Sequence, residues 1–303
     1  MPSPSPAMRR LGWTAALALT AAVPVFGAGP LAPLPPPAVE TIDVSLVLVP
    51  VVVRDAAGRP ILDLDRADFT ITEEGSPQAI AAFGREARPV SIVLSLDTSP
   101  SMQKQDLAAK RAAIDFVRGP RADVAFAVES FDDAPRFDLG FTSDRGAVES
   151  TIANLRLAGD NTALFDAVDA ATEKLASRDG GRVAVVFTDG TETLHPQDQS
   201  EKRLAAAIDA STRRDVSIYT VAFGPRAAFS VLKRMAEETG GEAFSALRTG
   251  DLPAAFASVA ESVGSRYLLG YTPPAGAAGF RRIGVSVSRP GLKVSARRGY
   301  FTK

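Results

Sequence analysis

The chain contains no cysteine and only one histidine among its 303 residues. Without cysteine there are no disulfides, no thiolate metal site and no thiol nucleophile, so the fold must hold by its core alone. A single histidine leaves no His-rich ligand set of the kind that favours metal-assisted hydrolysis. An excess of one charge sign is also missing: 34 Lys and Arg stand against 35 Asp and Glu, with a sequence pI near 6.0. No basic run carries interleaved aromatics, so nucleic acid and anionic membrane surfaces are not expected partners. What the chain does have is apolar content, 46% hydrophobic against 23% charged residues. That suffices for a substantial core and a second small module.

Arg9 and Arg10 precede an apolar run from Leu11 to Phe26 that ends in Gly27 and Ala28. This is the layout of a secretory signal over residues 1–28, and it predicts an exported protein, periplasmic or extracellular. The run is shorter than the roughly 20 residues that span a bilayer, and Pro24 and Gly27 interrupt it, so no embedded segment is expected after cleavage. Residues 29–40 read as a Pro-rich linker. Residues 41–87 read as an N-terminal β segment, with alternation at Val44, Leu46 and Leu48, a turn at "DAAGRP", and short strands around "FTITEEG" and "QAIAAF".

From residue 88 to 264 strands alternate with helix-length segments. "VSIVLSLD" (90–97) is a near-continuous apolar run, as expected of a central strand covered on both faces. A helix is predicted from Gln103 to Val117, and further strands at "DVAFAVESF", "RVAVVFTD" and "VSIYTVAFG". The pattern predicts an α/β fold with a doubly wound, mainly parallel sheet. Residues 265–303 return to β character and are expected to pair with 41–87 as a small antiparallel module. The pairs Asp132-Asp133 and Glu237-Glu238 read as solvated faces.

In a doubly wound sheet, ligands bind beyond the carboxyl ends of the strands. There the sequence places Asp97, Ser99 and Ser101 in "DTSPSM", Asp160, Asn161 and Thr162 in "AGDNTALFDA", and Asp189 in "FTDG". Carboxylates and hydroxyls without nitrogen or sulfur make an all-oxygen set, suited to a hard cation such as Mg2+. Each piece alone has a plainer reading, since Ser, Thr and Asp are preferred helix caps and "TDG" is a common turn. No G-x-S-x-G elbow and no Gly-rich phosphate loop supports a hydrolase or a nucleotide enzyme. Ser99 also stands where an aspartyl phosphotransferase would want a second acid.

Asp97-x-Ser99-x-Ser101, followed by Thr162 in "NTALFDAV" and Asp189 in "FTDG", resembles the von Willebrand factor A domain and its metal-ion-dependent adhesion site in motif, order and spacing. The resemblance covers roughly residues 88–264, and the flanks look like those of secreted bacterial von Willebrand A-related proteins. It implies that Ser99, Ser101 and Thr162 bind the metal through hydroxyls, while Asp97 and Asp189 act through waters or as alternative direct ligands. Mg2+ is the expected cation, with Mn2+ and Ca2+ as alternatives. The function it implies is capture of a partner protein's carboxylate, without catalysis. Asn161, Glu192 and His195 are candidates for contact with the ligand. The rival readings are a structural subunit whose metal only knits loops together, and a metal-assisted hydrolase.

Overall fold

The computed structural model describes residues 46–119, 123–189, 192–224, 228–276 and 278–302. The expected signal (1–28), the linker (29–40) and the start of the first β segment (41–45) lie outside the described residues. In chain order the strands are β1 (Val47–Arg54), β2 (Phe69–Glu73), β3 (Ser76–Gln78), β4 (Ala82–Arg85), β5 (Val90–Asp97), β6 (Val124–Phe131), β7 (Pro135–Thr142), β8 (Gly181–Thr188), β9 (Val216–Phe223), β10 (Ala243–Ala246), β11 (Tyr267–Tyr271), β12 (Phe280–Val287), β13 (Lys293–Ala296) and β14 (Gly299–Phe301). The helices are α1 (Asp106–Val117), α2 (Arg145–Asn154), α3 (Leu164–Ala176), α4 (Ser200–Arg213), α5 (Phe229–Thr239) and α6 (Leu252–Gly264).

β5 is buried at every position, and the sheet order explains why. The central sheet runs β10-β9-β8-β5-β6-β7. β5 has parallel neighbours on both sides, and only the edge strand β7 runs antiparallel. Alternate residues of β5 feed two separate cores. Ile92, Leu94 and Leu96 pack with α1, α2 and α6, whereas Val93 packs with α3, α4 and α5. Helices therefore cover both faces, and the strand can be apolar throughout. All the strand ends that carry the candidate site point to one edge of this layer.

The remaining strands form two four-stranded sheets, β13-β1-β11-β4 and β14-β12-β2-β3. Each combines strands from before and after the α/β layer, and their antiparallel ladders include Val49↔Leu269 and Val285↔Ile71. Between them lies one core built from Val49, Val51, Ile71, Leu269 and Tyr271. The buried Glu73 carboxylate accepts bonds from the Tyr271 hydroxyl (2.6 Å), the Tyr300 hydroxyl (3.0 Å) and Arg281 (2.7 Å), and so ties the two sheets together. Burial works against its charge, but these three donors outweigh burial and hold its pKa below the ordinary value.

Two expectations need correcting. The terminal segments pair as two sheets rather than as one small module, with β1 between β11 and β13 in one and β2 between β3 and β12 in the other. "QAIAAF" is not one strand: Gln78 ends β3 beside β2, and Ala82 opens β4 beside β11 in the other sheet. A continuous apolar run cannot record that its two halves serve different sheets.

Candidate metal centre at the carboxyl edge of the sheet

Asp97 ends β5 and is nearly inaccessible to solvent. One carboxylate oxygen accepts the Ser99 N–H at 2.9 Å, and the other accepts the Thr188 hydroxyl at 2.6 Å. The first bond folds the β5 loop back on itself, and the second joins it to the end of β8. Burial pushes the Asp97 carboxyl above its ordinary value, opposed by the Ser99 and Thr188 bonds and reinforced by the nearby charge of Asp189.

Ser99 opens a 3-10 turn over Pro100–Lys104, yet its side chain caps nothing. Instead the Ser99 and Ser101 hydroxyl oxygens lie 3.0 Å apart, and Ser101 donates to an Asp189 oxygen at 2.6 Å. The other Asp189 oxygen accepts Gln105 Nε2 at 2.5 Å, and the same amide nitrogen donates to the Ser101 carbonyl at 2.9 Å. Gln105 was not among the sequence candidates. Its signal was its spacing: four residues after Ser101 on a helical path, it shares that residue's face.

The Thr162 loop is held between the other two loops by backbone bonds. The Ala158 N–H donates to the Thr98 carbonyl at 3.0 Å, and the Ala163 N–H to the Asp132 carbonyl at 2.7 Å. On the far side, Thr162 N–H donates to the Thr193 hydroxyl at 2.8 Å, while Thr193 N–H donates to the Thr162 carbonyl at 3.1 Å. α3 begins at Leu164 with Ala163 as its cap residue, so Thr162 lies outside the helix and is not used to start it. The plain capping readings of Ser99 and Thr162 therefore do not apply.

The expected solvated face at Asp132-Asp133 holds only in part: Asp133 is exposed, but Asp132 is not. Asp132 is buried, accepts two bonds from Arg136 (2.8 and 2.6 Å) and one from the Thr98 hydroxyl (3.3 Å). The Arg136 guanidinium holds its carboxyl below the ordinary value, although burial opposes this. One Asp133 oxygen accepts the backbone N–H groups of Asp160 (3.1 Å) and Asn161 (2.8 Å) and the Asn161 side-chain amide (2.8 Å). Gly159, at φ +67°, passes where a Cβ would come within 2.8 Å of Asp132 Cβ. Acidic anchors and one glycine thus shape the loop that carries Thr162.

The three ligand-contact candidates are engaged within the protein. Asn161 is bound to Asp133 as described. Glu192 is buried, and its carboxylate accepts the N–H groups of Phe165 (3.0 Å), Leu194 (3.0 Å) and His195 (3.2 Å). It caps the start of α3 and orders the loop after β8, rather than adding an open acid to the crevice. His195 Nε2 lies 3.2 Å from both oxygens of Asp166, which also accepts Arg203 at 3.0 Å.

The residues present fit a hard cation. Among the described residues no three His, Cys, Asp or Glu side chains cluster as a metal site, so hydroxyls must complete any ligand set here. Oxygens ligating one Mg2+ at about 2.0–2.1 Å in an octahedron are roughly 2.9 Å apart. The 3.0 Å between the Ser99 and Ser101 oxygens is close to that edge length.

A family model, the von Willebrand factor type A domain, matches residues 91–257. A curated relative from Mycolicibacterium gilvum, described only as a UPF0353 protein, is 26% identical over 257 residues, covering 75% of this chain and 74% of the relative. Another UPF0353 protein, from Mycobacterium leprae, is 24% identical over 225 residues, covering 65% of this chain and 66% of the relative, just under two thirds of its length. Among solved structures, a von Willebrand factor type A protein from Catenulispora acidiphila superposes with TM-score 0.53 at 16% identity, covering 76% of this chain and 72% of that one. Proximal thread matrix protein 1 from the mussel byssus, with a zinc-occupied MIDAS motif, superposes with TM-score 0.51 at 18% identity, covering 63% and 49%. At these identities the structural likeness is one of fold.

Proposed function

Starting from the membership of this chain in the von Willebrand factor type A domain family, whose domains are often metal-dependent adhesion or protein-interaction modules, we propose that it is an exported protein-binding module with Mg2+ held by Ser99, Ser101, Thr162, Asp97 and Asp189. The observation that carries this reading is the linked set Ser99, Ser101 and Asp189, in which the Ser101 hydroxyl lies 3.0 Å from that of Ser99 and 2.6 Å from an Asp189 oxygen, at the edge where β5 and β8 end. A bound Mg2+ met directly by the three hydroxyls, with Asp97 and Asp189 acting through waters, would supply an electrophile with most of its charge uncompensated, and so attract a carboxylate from a partner protein.

The chain's own residues have distinct roles in this reading. Asp97 holds the β5 and β8 loops together through Ser99 and Thr188. Gln105 orients Asp189. Glu192 and Asp133 fix the loops on either side of Thr162. The donor set offers no histidine or thiolate, which favours binding over hydrolysis. The exported location rests on the pattern of residues 1–28.

Titration calorimetry of the purified chain with Mg2+, and capture of envelope or extracellular proteins in its presence, tests the proposal. Wild type is expected to bind Mg2+ and to lose its captured partner in EDTA, and Asp97→Ala to lose both. Capture that survives EDTA and the substitution would overturn it.

A further inference from the structure

At the opposite edge of the central sheet, where β8 and β9 begin, a cavity of about 840 Å³ lies between the α/β layer and the two flanking sheets. Arg88, Arg182, Arg213, Arg266 and Arg297 line it. Among the described residues the carboxylates that line it are Asp179 and Asp215, so these residues give the wall a surplus of positive charge.

Arg266, the residue before β11, is 1% exposed, and its Nε and Nη2 have no hydrogen-bond partner among the described residues. It acts through space on the buried Glu86 carboxylate, but the two oxygens of Glu86 are taken by Arg88 Nε and Nη2 at 2.7 and 2.8 Å. Two guanidiniums therefore share one carboxylate. Gly181 leaves the space that Arg266 occupies, since a Cβ there would come within 2.9 Å of Nη2.

The neighbouring arginines leave the surplus in place. Arg182 donates to the carbonyls of Arg178 (2.6 Å) and Arg214 (2.7 Å), which satisfies N–H groups without neutralising charge. Arg213 lies over the Phe301 ring, 3.4 Å from its centroid. Arg297 is paired with Asp215 and donates to the Leu48 carbonyl at 2.7 Å, yet its Nε has no hydrogen-bond partner among the described residues. A buried guanidinium with open donors is unfavourable unless an anion meets it. Its fork matches the paired oxygens of a carboxylate or a phosphate.

We propose that this cavity binds a small organic anion, whose carboxylate or phosphate group meets Arg266 and Arg297 and whose apolar body packs on Leu48 and Phe301. The volume lies within the range of small-molecule sites, and the site is independent of the proposed cation at the other edge of the sheet.

The test uses the purified full chain and two probes, citrate and inorganic phosphate, each compared with sodium chloride at matched ionic strength. Calorimetry and thermal unfolding are expected to report saturable binding and stabilisation by at least one probe and not by chloride. A response to citrate identifies the ligand group as a carboxylate, and a response to phosphate identifies a phosphate. Arg266→Met is expected to weaken that response at least tenfold. Arg213→Gln, at the exposed rim, is expected to weaken it in the same direction and serves if the buried variant fails to fold. No saturable response to either probe would overturn the proposal. So would an equal response from wild type and variants, because anions also stabilise proteins generally by exclusion from their surface.

Discussion

Glu129 in β6 is wholly buried, and neither carboxylate oxygen has a hydrogen-bond partner among the described residues. Burial pushes its pKa up to about 8, the Ser95 hydroxyl offsets this only in part, and Asp138 adds to the rise. The folded chain thus keeps a proton that the unfolded chain releases above the ordinary value of 4.5. Stability contributed by the neutral acid is complete below that value and is lost as pH rises towards about 8, by about 1.4 kcal/mol per unit in that window. Glu129→Gln is expected to flatten this slope and to be the more stable protein at pH 8, as read from urea midpoints at pH 5 and pH 8. An unchanged slope would mean that Glu129 is already ionised in the folded chain. Such a residue is illegible in sequence, because "AVESF" carries nothing to say that its glutamate faces a helix layer rather than water. Asp132 was misread for the same reason, although Arg136, four residues on across a tight turn, was the available clue. By contrast the meeting of Ser99, Ser101 and Asp189 beside Asp97 was legible, since such residue types at neighbouring strand ends have few other joint uses.

The loop from α2 to α3 shows how an element is aimed by residues that touch no ligand. Thr162 takes its place from Asp133, from Thr193 and from Gly159, whose positive φ and close approach to Asp132 leave no room for a side chain. Gly159→Ala is expected to cost about 1–3 kcal/mol in chemical denaturation and to weaken Mg2+ binding in the same protein, although no oxygen of the site is removed. An unaltered Mg2+ affinity in a destabilised variant would separate the loop from the site. At this scale the strands β5, β6, β8 and β9 were readable from their length and apolar runs. The start of the first helix was not: Pro100–Lys104 forms a 3-10 turn and α1 opens only at Asp106. That turn carries Ser101 and Gln105 to Asp189, so the departure from regular helix falls at the site, where tertiary contacts override propensity.

Across the whole molecule, Arg54 joins the flanking sheets to the α/β layer. From β1 its guanidinium reaches both Glu242 oxygens (3.1 and 3.2 Å), Glu261 (3.3 Å), the Ser258 carbonyl (3.3 Å) and the Ser262 hydroxyl. Arg54→Met is expected to cost about 1–3 kcal/mol, because it leaves the partly buried Glu242 carboxylate without its cation, and a fall in the thermal midpoint would report it. A change of less than 1 kcal/mol would mean that Ser262 and Ser295, which also donate to Glu242, suffice. The β character at both ends of the chain suggested that they would meet, but gave no sign that their strands would interleave within each sheet. That interleaving also sets a schedule. The Leu64 N–H finds its acceptor, the Tyr267 hydroxyl, 203 residues further along the chain, and β1 has no ladder partner until β11 and β13 exist. Contacts of such separation form slowly, after the loop between them has been closed. As the chain emerges from the ribosome, β1 must wait with only a local bridge at its end, where Val53 accepts the Ile61 N–H, while the whole α/β layer is made, which leaves the nascent protein dependent on whatever shields that strand until β11 and β13 arrive.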